Sequence, residues 1–169
     1  MSSLTKKIEL GANLAIILVA ILLGIVLARN YLYPQSRAPQ DTARLSIQTG
    51  TKLSVPGVDW KANGRTLVMV LSTQCHFCTE SAPFYKQLAQ QRAANVRLVA
   101  AFPQAITDGQ KYLSGLGVTA DDVKQVQLET LGVNATPTLI LTDDSGVVTQ
   151  SWLGKLPTEK EAEVINRLR

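Results

Sequence analysis

Two seven-residue apolar runs set the frame for this chain: TLVMVLS at Thr66–Ser72 and VRLVAAF at Val96–Phe102. Each has the length of a strand, and neither alternates apolar with polar residues as a half-exposed strand would. Each therefore fits a strand buried on both faces of a sheet. Between them, from about His76 to Ala93, the pattern turns helical, with Phe77, Ser81, Phe84, Tyr85, Leu88 and Ala89 on one face.

The rest of the chain from Leu45 onward supplies further elements. AITDGQKYLSGLG reads as a helix ending at Gly115 or Gly117, and a short segment follows near Val123–Leu128. Thr138–Thr142 reads as a strand, Asp-Asp-Ser-Gly as a turn, and Val147–Trp152 as the return strand of a hairpin. Thr158–Leu168 reads as a closing helix, started by a Thr-x-x-Glu capping box of Thr158 and Glu161. Upstream, short strands are expected at Leu45–Ile47 and Lys52–Val55, with turns at Pro56-Gly57 and Asn63-Gly64. A strand–helix–strand opening and a hairpin–helix ending predict an α/β fold, a mixed central sheet flanked by helices.

The N-terminal part has a different character. Leu10–Ala28 is a 19-residue apolar run with Asn13 as its one strongly polar member. As a helix it would be about 28 Å long, close to the hydrocarbon thickness of a bilayer. Lys6 and Lys7 before it resemble the n-region of a signal peptide, but the run exceeds a usual h-region and no A-x-A site closes it. One transmembrane helix is expected, with Tyr31 and Tyr33 suiting an interfacial belt. Residues 1–30 are read as tail and anchor. Residues 31–44, with two prolines and no periodicity, are read as a flexible tether, and 45–169 as the folded domain. Basic residues on the two sides of the run nearly balance. The short tail before it, with everything foldable after it, is what suits a signal-anchor with an exported domain.

The formal net charge of +4 is mostly a property of that N-terminal part. From Leu45 onward there are twelve basic and eleven acidic residues, and no basic stripe with interleaved aromatics, so nucleic-acid binding is disfavoured.

The chain's only two cysteines, Cys75 and Cys78, follow the first apolar run directly, and its only histidine, His76, stands between them. A structural zinc site wants four ligands, and Cys75, His76 and Cys78 are all that the chain offers. Covalent haem attachment wants a histidine after the second cysteine, where Thr79 stands. A purely structural disulfide across so short a loop gains only about 2 kcal/mol by loop closure. A reactive dithiol has a physical basis. At a helix N-terminus the Cys75 thiolate would be stabilised by unpaired N–H groups, and Cys78, three residues on, lies within disulfide reach. Cys75 would then be the exposed nucleophile and Cys78 the resolving thiol. A protonated His76 would favour the Cys75 thiolate further. A tethered module delivering Cu(I) or haem, with the two cysteines as soft ligands, is the competing class.

Cys75-His76-Phe77-Cys78, after a buried strand and opening a helix, resembles the active site of the thioredoxin superfamily. Pro83 matches the proline that bends the first active-site helix in many members. Ala135-Thr136-Pro137-Thr138 resembles the family's cis-proline loop, and LTDDSGVV its closing hairpin. The resemblance spans roughly Leu45–Arg169. With the anchor and the lead-in VPGVDWKANGRTLVMVLS, the chain looks most like the membrane-tethered, exported TlpA/ResA-like branch (AhpC/TSA-related). It implies a thioredoxin-like fold and a thiol–disulfide oxidoreductase needing no dissociable cofactor. Its catalytic residues would be Cys75, Cys78, His76, Pro137 and Thr136. The Thr136–Pro137 bond would be cis, with the backbone of Thr136 facing the dithiol. Implied partners are protein disulfides and dithiols and a transmembrane electron donor, with the chain held single-pass in an inner membrane by Leu10–Ala28 and its domain in the periplasm or another extracytoplasmic space. The sequence departs from the family pattern in two places: Gln74 stands where many members have Trp, and Met69 stands about where thioredoxins bury an acid. Glu80 is then a candidate proton acceptor for Cys78. A peroxidatic loop, which LSTQC faintly resembles, would want a proline at Val68 and a threonine at Ser72.

Overall fold

The computed structural model describes residues 16–23 and 47–169. The chain divides into two compact units, Met1–Gln40 and Asp41–Arg169. In the first unit, residues 16–23 are helical and exposed. The remainder of Leu10–Ala28, the tether 31–44 and Leu45 lie outside the described residues. Among the described residues no helix is long and apolar enough to cross a membrane.

The second unit is built on five strands: β1 (Arg65–Val70), β2 (Val96–Phe102), β3 (Asp122–Gln125), β4 (Thr138–Thr142) and β5 (Val148–Leu153), in the spatial order β3-β2-β1-β4-β5. β1 runs parallel to β2 and β2 to β3, while β4 is antiparallel to both β1 and β5, so the sheet is mixed. The unbroken apolar runs have the expected cause. Leu67, Met69 and Leu71 enter a core on one face of the sheet with Phe84, Tyr85, Leu88, Val164 and Leu168, while Val68 and Val70 enter a second core on the other face with Leu53, Val55, Ile140 and Val148. β1 is the middle strand and is covered on both sides, so its residues cannot alternate with polar ones.

The helices are α1 (Trp60–Asn63), α2 (His76–Glu80), α3 (Ala82–Gln91), α4 (Ile106–Leu116) and α5 (Thr158–Leu168), with a 3-10 turn at Leu128–Leu131. Several expectations need correction. The single helix expected from His76 to Ala93 is broken at Ser81, and Pro83 lies in the first turn of α3, where its missing N–H costs nothing. The break changes which side chains face inward: Cys78, Ser81, Phe84, Tyr85 and Leu88 are buried, whereas Phe77 is 55% exposed. The expected capping box is not formed. Pro157 is the N-cap of α5, Thr158 is already helical, and no side chain caps the end. Lys52–Val55 is not a strand, because only Lys52 bridges to Val147 before Pro56-Gly57 turns the chain away. α4 ends where Gly117 adopts the left-handed conformation, the later of the two glycines expected.

The β4–β5 hairpin is closed by a carboxylate. Asp143 Oδ1 accepts from the Ser145 hydroxyl at 2.7 Å and from the Ser145 and Val147 N–H groups at 2.9 Å. The Ser145 hydroxyl bond, aided by these backbone donors, holds the Asp143 carboxyl below its usual range. A carboxyl lowered in the folded state stabilises it above the unfolded-chain pKa, and the effect is lost as the pH falls through the lowered value. Asp143→Ala should therefore lower the thermal midpoint at pH 7. The deficit should shrink as calorimetry is repeated at progressively more acidic pH.

Candidate functional site

The dithiol sits at the carboxyl end of β1, where the chain leaves the sheet. Leu71 still donates its N–H to the Ala101 carbonyl at 2.9 Å, so the chain stays anchored one residue beyond the strand. Ser72, Thr73 and Gln74 then turn toward α2. Cys75 donates its N–H to the Ser72 carbonyl at 3.1 Å. Gln104, from the loop after β2, grips this turn from outside: its amide donates to Ser72 Oγ at 3.1 Å, and its Oε1 accepts from Thr73 N–H at 3.4 Å.

Cys75 is the N-cap of α2 and Cys78 lies in its middle, with their Cα atoms 5.2 Å apart and their sulfurs joined as a disulfide. The two sulfurs are not equivalent. Cys75 is half-buried, and its Sγ accepts the Cys78 N–H at 3.1 Å. Cys78 is fully buried in the apolar core that also holds Met69, Leu71, Ala82 and Tyr85. On reduction, the N–H aimed at Cys75 Sγ favours charge there, while desolvation disfavours charge on Cys78.

The second half of the site comes from the segment before β4. The Thr136–Pro137 peptide bond is cis, and the Thr136 carbonyl oxygen lies 3.4 Å from Cys75 Sγ. Pro137 is buried and accepts the Gly154 N–H at 2.7 Å, and Thr138 Oγ1 donates to the Ala135 carbonyl at 2.7 Å. The loop is thus fixed from two sides, which sets the Thr136 backbone beside the disulfide.

Of the residues singled out by sequence, Cys75, Cys78, Thr136 and Pro137 converge. His76 lies on the open side: its side chain is 78% exposed and its Nε2 is 3.2 Å from Glu80 Oε1. Glu80 was a candidate proton acceptor for Cys78, but its carboxylate points to the surface, where Lys155 Nζ stands 3.0 Å from Oε2. The Lys155 hydrogen bond is the main cause holding the Glu80 carboxyl below its usual range. Both Glu80 oxygens are engaged on the surface, one by His76 and one by Lys155, and among the described residues no hydrogen bond joins Glu80 to Cys78. Met69 is fully buried in the Cys78 cluster, so β1 lends no acid to the site.

Two contributors escaped the sequence reading: Gln104, which holds the turn before Cys75, and Lys155, which pairs with Glu80. Gln104 had a faint signal, since it follows a parallel strand at its carboxyl end, where α/β sheets gather their sites.

No family model and no curated protein matches the chain. Its fold does match solved structures. One is a protein assigned as a thiol:disulfide interchange protein, DsbE, from Chlorobium tepidum, with a TM-score of 0.56 and 24% identity over 72% of this chain and 96% of that one. A thiol:disulfide interchange protein from Bacteroides sp. matches with a TM-score of 0.56 and 15% identity, over 72% and 91% of the two chains. A secreted Mycobacterium tuberculosis disulfide oxidoreductase homologous to E. coli DsbE matches with a TM-score of 0.52 and 16% identity, over 75% and 96%. The fold of the second unit is thioredoxin-like, with a five-stranded mixed sheet and a CxxC disulfide at the end of its central strand.

Proposed function

We propose that the chain is a thiol–disulfide oxidoreductase acting on exported proteins. The observation that carries this is the inequality of the two sulfurs: Cys75 is half-buried, supplied with an N–H donor and set beside the Thr136 backbone, while Cys78 is sealed beneath it. In the reducing direction, the Cys75 thiolate attacks one sulfur of a substrate disulfide. A mixed disulfide forms, and the other substrate sulfur leaves as a thiolate that takes a proton from water. Cys78 then gives its proton to water and attacks Cys75 Sγ. The intramolecular disulfide closes, and the second substrate thiol is released. Two electrons pass from the protein dithiol to the substrate, and a donor of two electrons must restore the dithiol. The Thr136 backbone is placed to pair with an extended substrate segment.

The finer reading is a reductant held by a Leu10–Ala28 membrane anchor, facing the periplasm or another extracytoplasmic space and recharged by a transmembrane electron carrier. The 19-residue apolar run supports the anchor. Direction is supported by the surroundings of Cys75. His76 pairs with Glu80 on the surface, and Gln74 adds no charge, so little stabilises the thiolate beyond the Cys78 N–H. An oxidant needs an unusually stable thiolate. Equilibration with glutathione buffers should give a potential well below the roughly −120 mV of a strong oxidant. A value at or above that level reverses the direction, and a pair that never exchanges with glutathione removes the proposed activity.

A further inference from the structure

Two adjacent residues after β5 tie the halves of the site together. Gly154 donates its N–H to the Pro137 carbonyl at 2.7 Å, and Lys155 reaches across to α2, where its Nζ lies 3.0 Å from Glu80 Oε2. The other oxygen of Glu80 is 3.2 Å from His76 Nε2, so lysine, carboxylate and imidazole form a chain whose last member adjoins Cys75 in sequence. Ion pairs as open as these add little to stability. The fold does not need them, since α2 is already held by backbone bonds and the buried Cys78.

Building on the proposed activity, we infer that Glu80 and Lys155 are positioning residues that set the charge felt by the Cys75 sulfur. Glu80 holds the His76 ring on the open side and places a negative charge on the same short helix that Cys75 caps, and Lys155 neutralises that charge. The other polar groups facing this corner are few. Glu161 on α5 senses the Lys155 charge, the Tyr112 hydroxyl of α4 meets Thr79 at 2.9 Å, and the Thr136 carbonyl faces Cys75. None of them bonds to Glu80 or takes the place of Lys155.

The two partners carry opposite charges, so removing them should have opposite effects. Glu80→Gln takes away a negative charge, favours the Cys75 thiolate and makes the pair more oxidising. Lys155→Gln leaves the Glu80 charge uncompensated, disfavours the thiolate and makes the pair more reducing. The equilibrium constant with glutathione should move about two- to fivefold in each case, in opposite directions. The double variant should return close to the original protein. All shifts should shrink in about 1 M salt, where charges are screened within a few ångströms.

The experiment uses the full chain kept in mild detergent. It measures both the glutathione equilibrium and the pH dependence of iodoacetamide alkylation at Cys75. Opposite shifts that cancel in the double variant support the inference. Shifts of the same sign, or none, overturn it, because a merely structural contact would alter stability without reversing sign. The alkylation titration does not depend on exchange. Opposite titration shifts in a protein that cannot exchange would sink the proposed activity while leaving the charge coupling standing.

Discussion

Replacing Cys75 with alanine is expected to reduce disulfide exchange to its uncatalysed background, a loss of several orders of magnitude. Cys78→Ala is expected to fail differently. The nucleophile and its N–H donor remain in Cys78→Ala, since the donor belongs to the backbone of residue 78. Attack on a substrate disulfide should proceed at close to the original rate, and the reaction should then stop at the mixed disulfide because nothing resolves it. Substrate proteins would accumulate as covalent adducts that disappear on adding reductant, visible as shifted bands on a non-reducing gel. In the reduced protein, brief treatment with limiting iodoacetamide should label Cys75 first, since Cys78 is fully buried. Preferential labelling of Cys78, or adducts formed by Cys75→Ala instead, would reverse the roles of the two sulfurs.

The asymmetry behind that experiment was partly legible in the sequence. A strand of unbroken apolar residues, followed at once by a cysteine, puts that cysteine at the sheet's carboxyl edge, and β1, β2, β4 and α5 lie where the periodicity placed them. These elements were readable because each carries its own evidence. A run buried on both faces has to be apolar throughout, and a helix covering one face has to repeat every three to four residues. The break at Ser81 was not readable in the same way. Proline is compatible both with a bent helix and with the first turn of a new one, and only packing decides. That choice put Phe77 on the surface and left Cys78 as the residue that enters the core. Partnerships across long sequence separations were the least legible. Glu80 and Lys155 are 75 residues apart, and Ser72 and Gln104 are 32 apart. No local pattern marks such pairs, because the topology of the sheet brings them together. Glu80 seemed close enough along the chain to serve Cys78, yet α2 turns it outward to Lys155.

The absence of an acid beneath the dithiol leads to the other large expected effect. Met69 lies in the middle of β1, fully buried, among Leu67, Leu71, Cys78 and Tyr85. An aspartate there would lie within the apolar cluster. Burying an unpaired carboxylate is costly enough that the group takes up a proton instead. Met69→Asp should therefore destabilise the domain by about 3 kcal/mol or more at pH 7, measured as a lower urea midpoint. Met69→Leu, a swap that nearly conserves volume, should cost less than about 1.5 kcal/mol. The comparison separates loss of shape from burial of charge. If Met69→Asp unfolds no more easily than Met69→Leu, water or a polar partner reaches the base of the dithiol. Cys78 would then have a route for its proton through the core rather than over the surface.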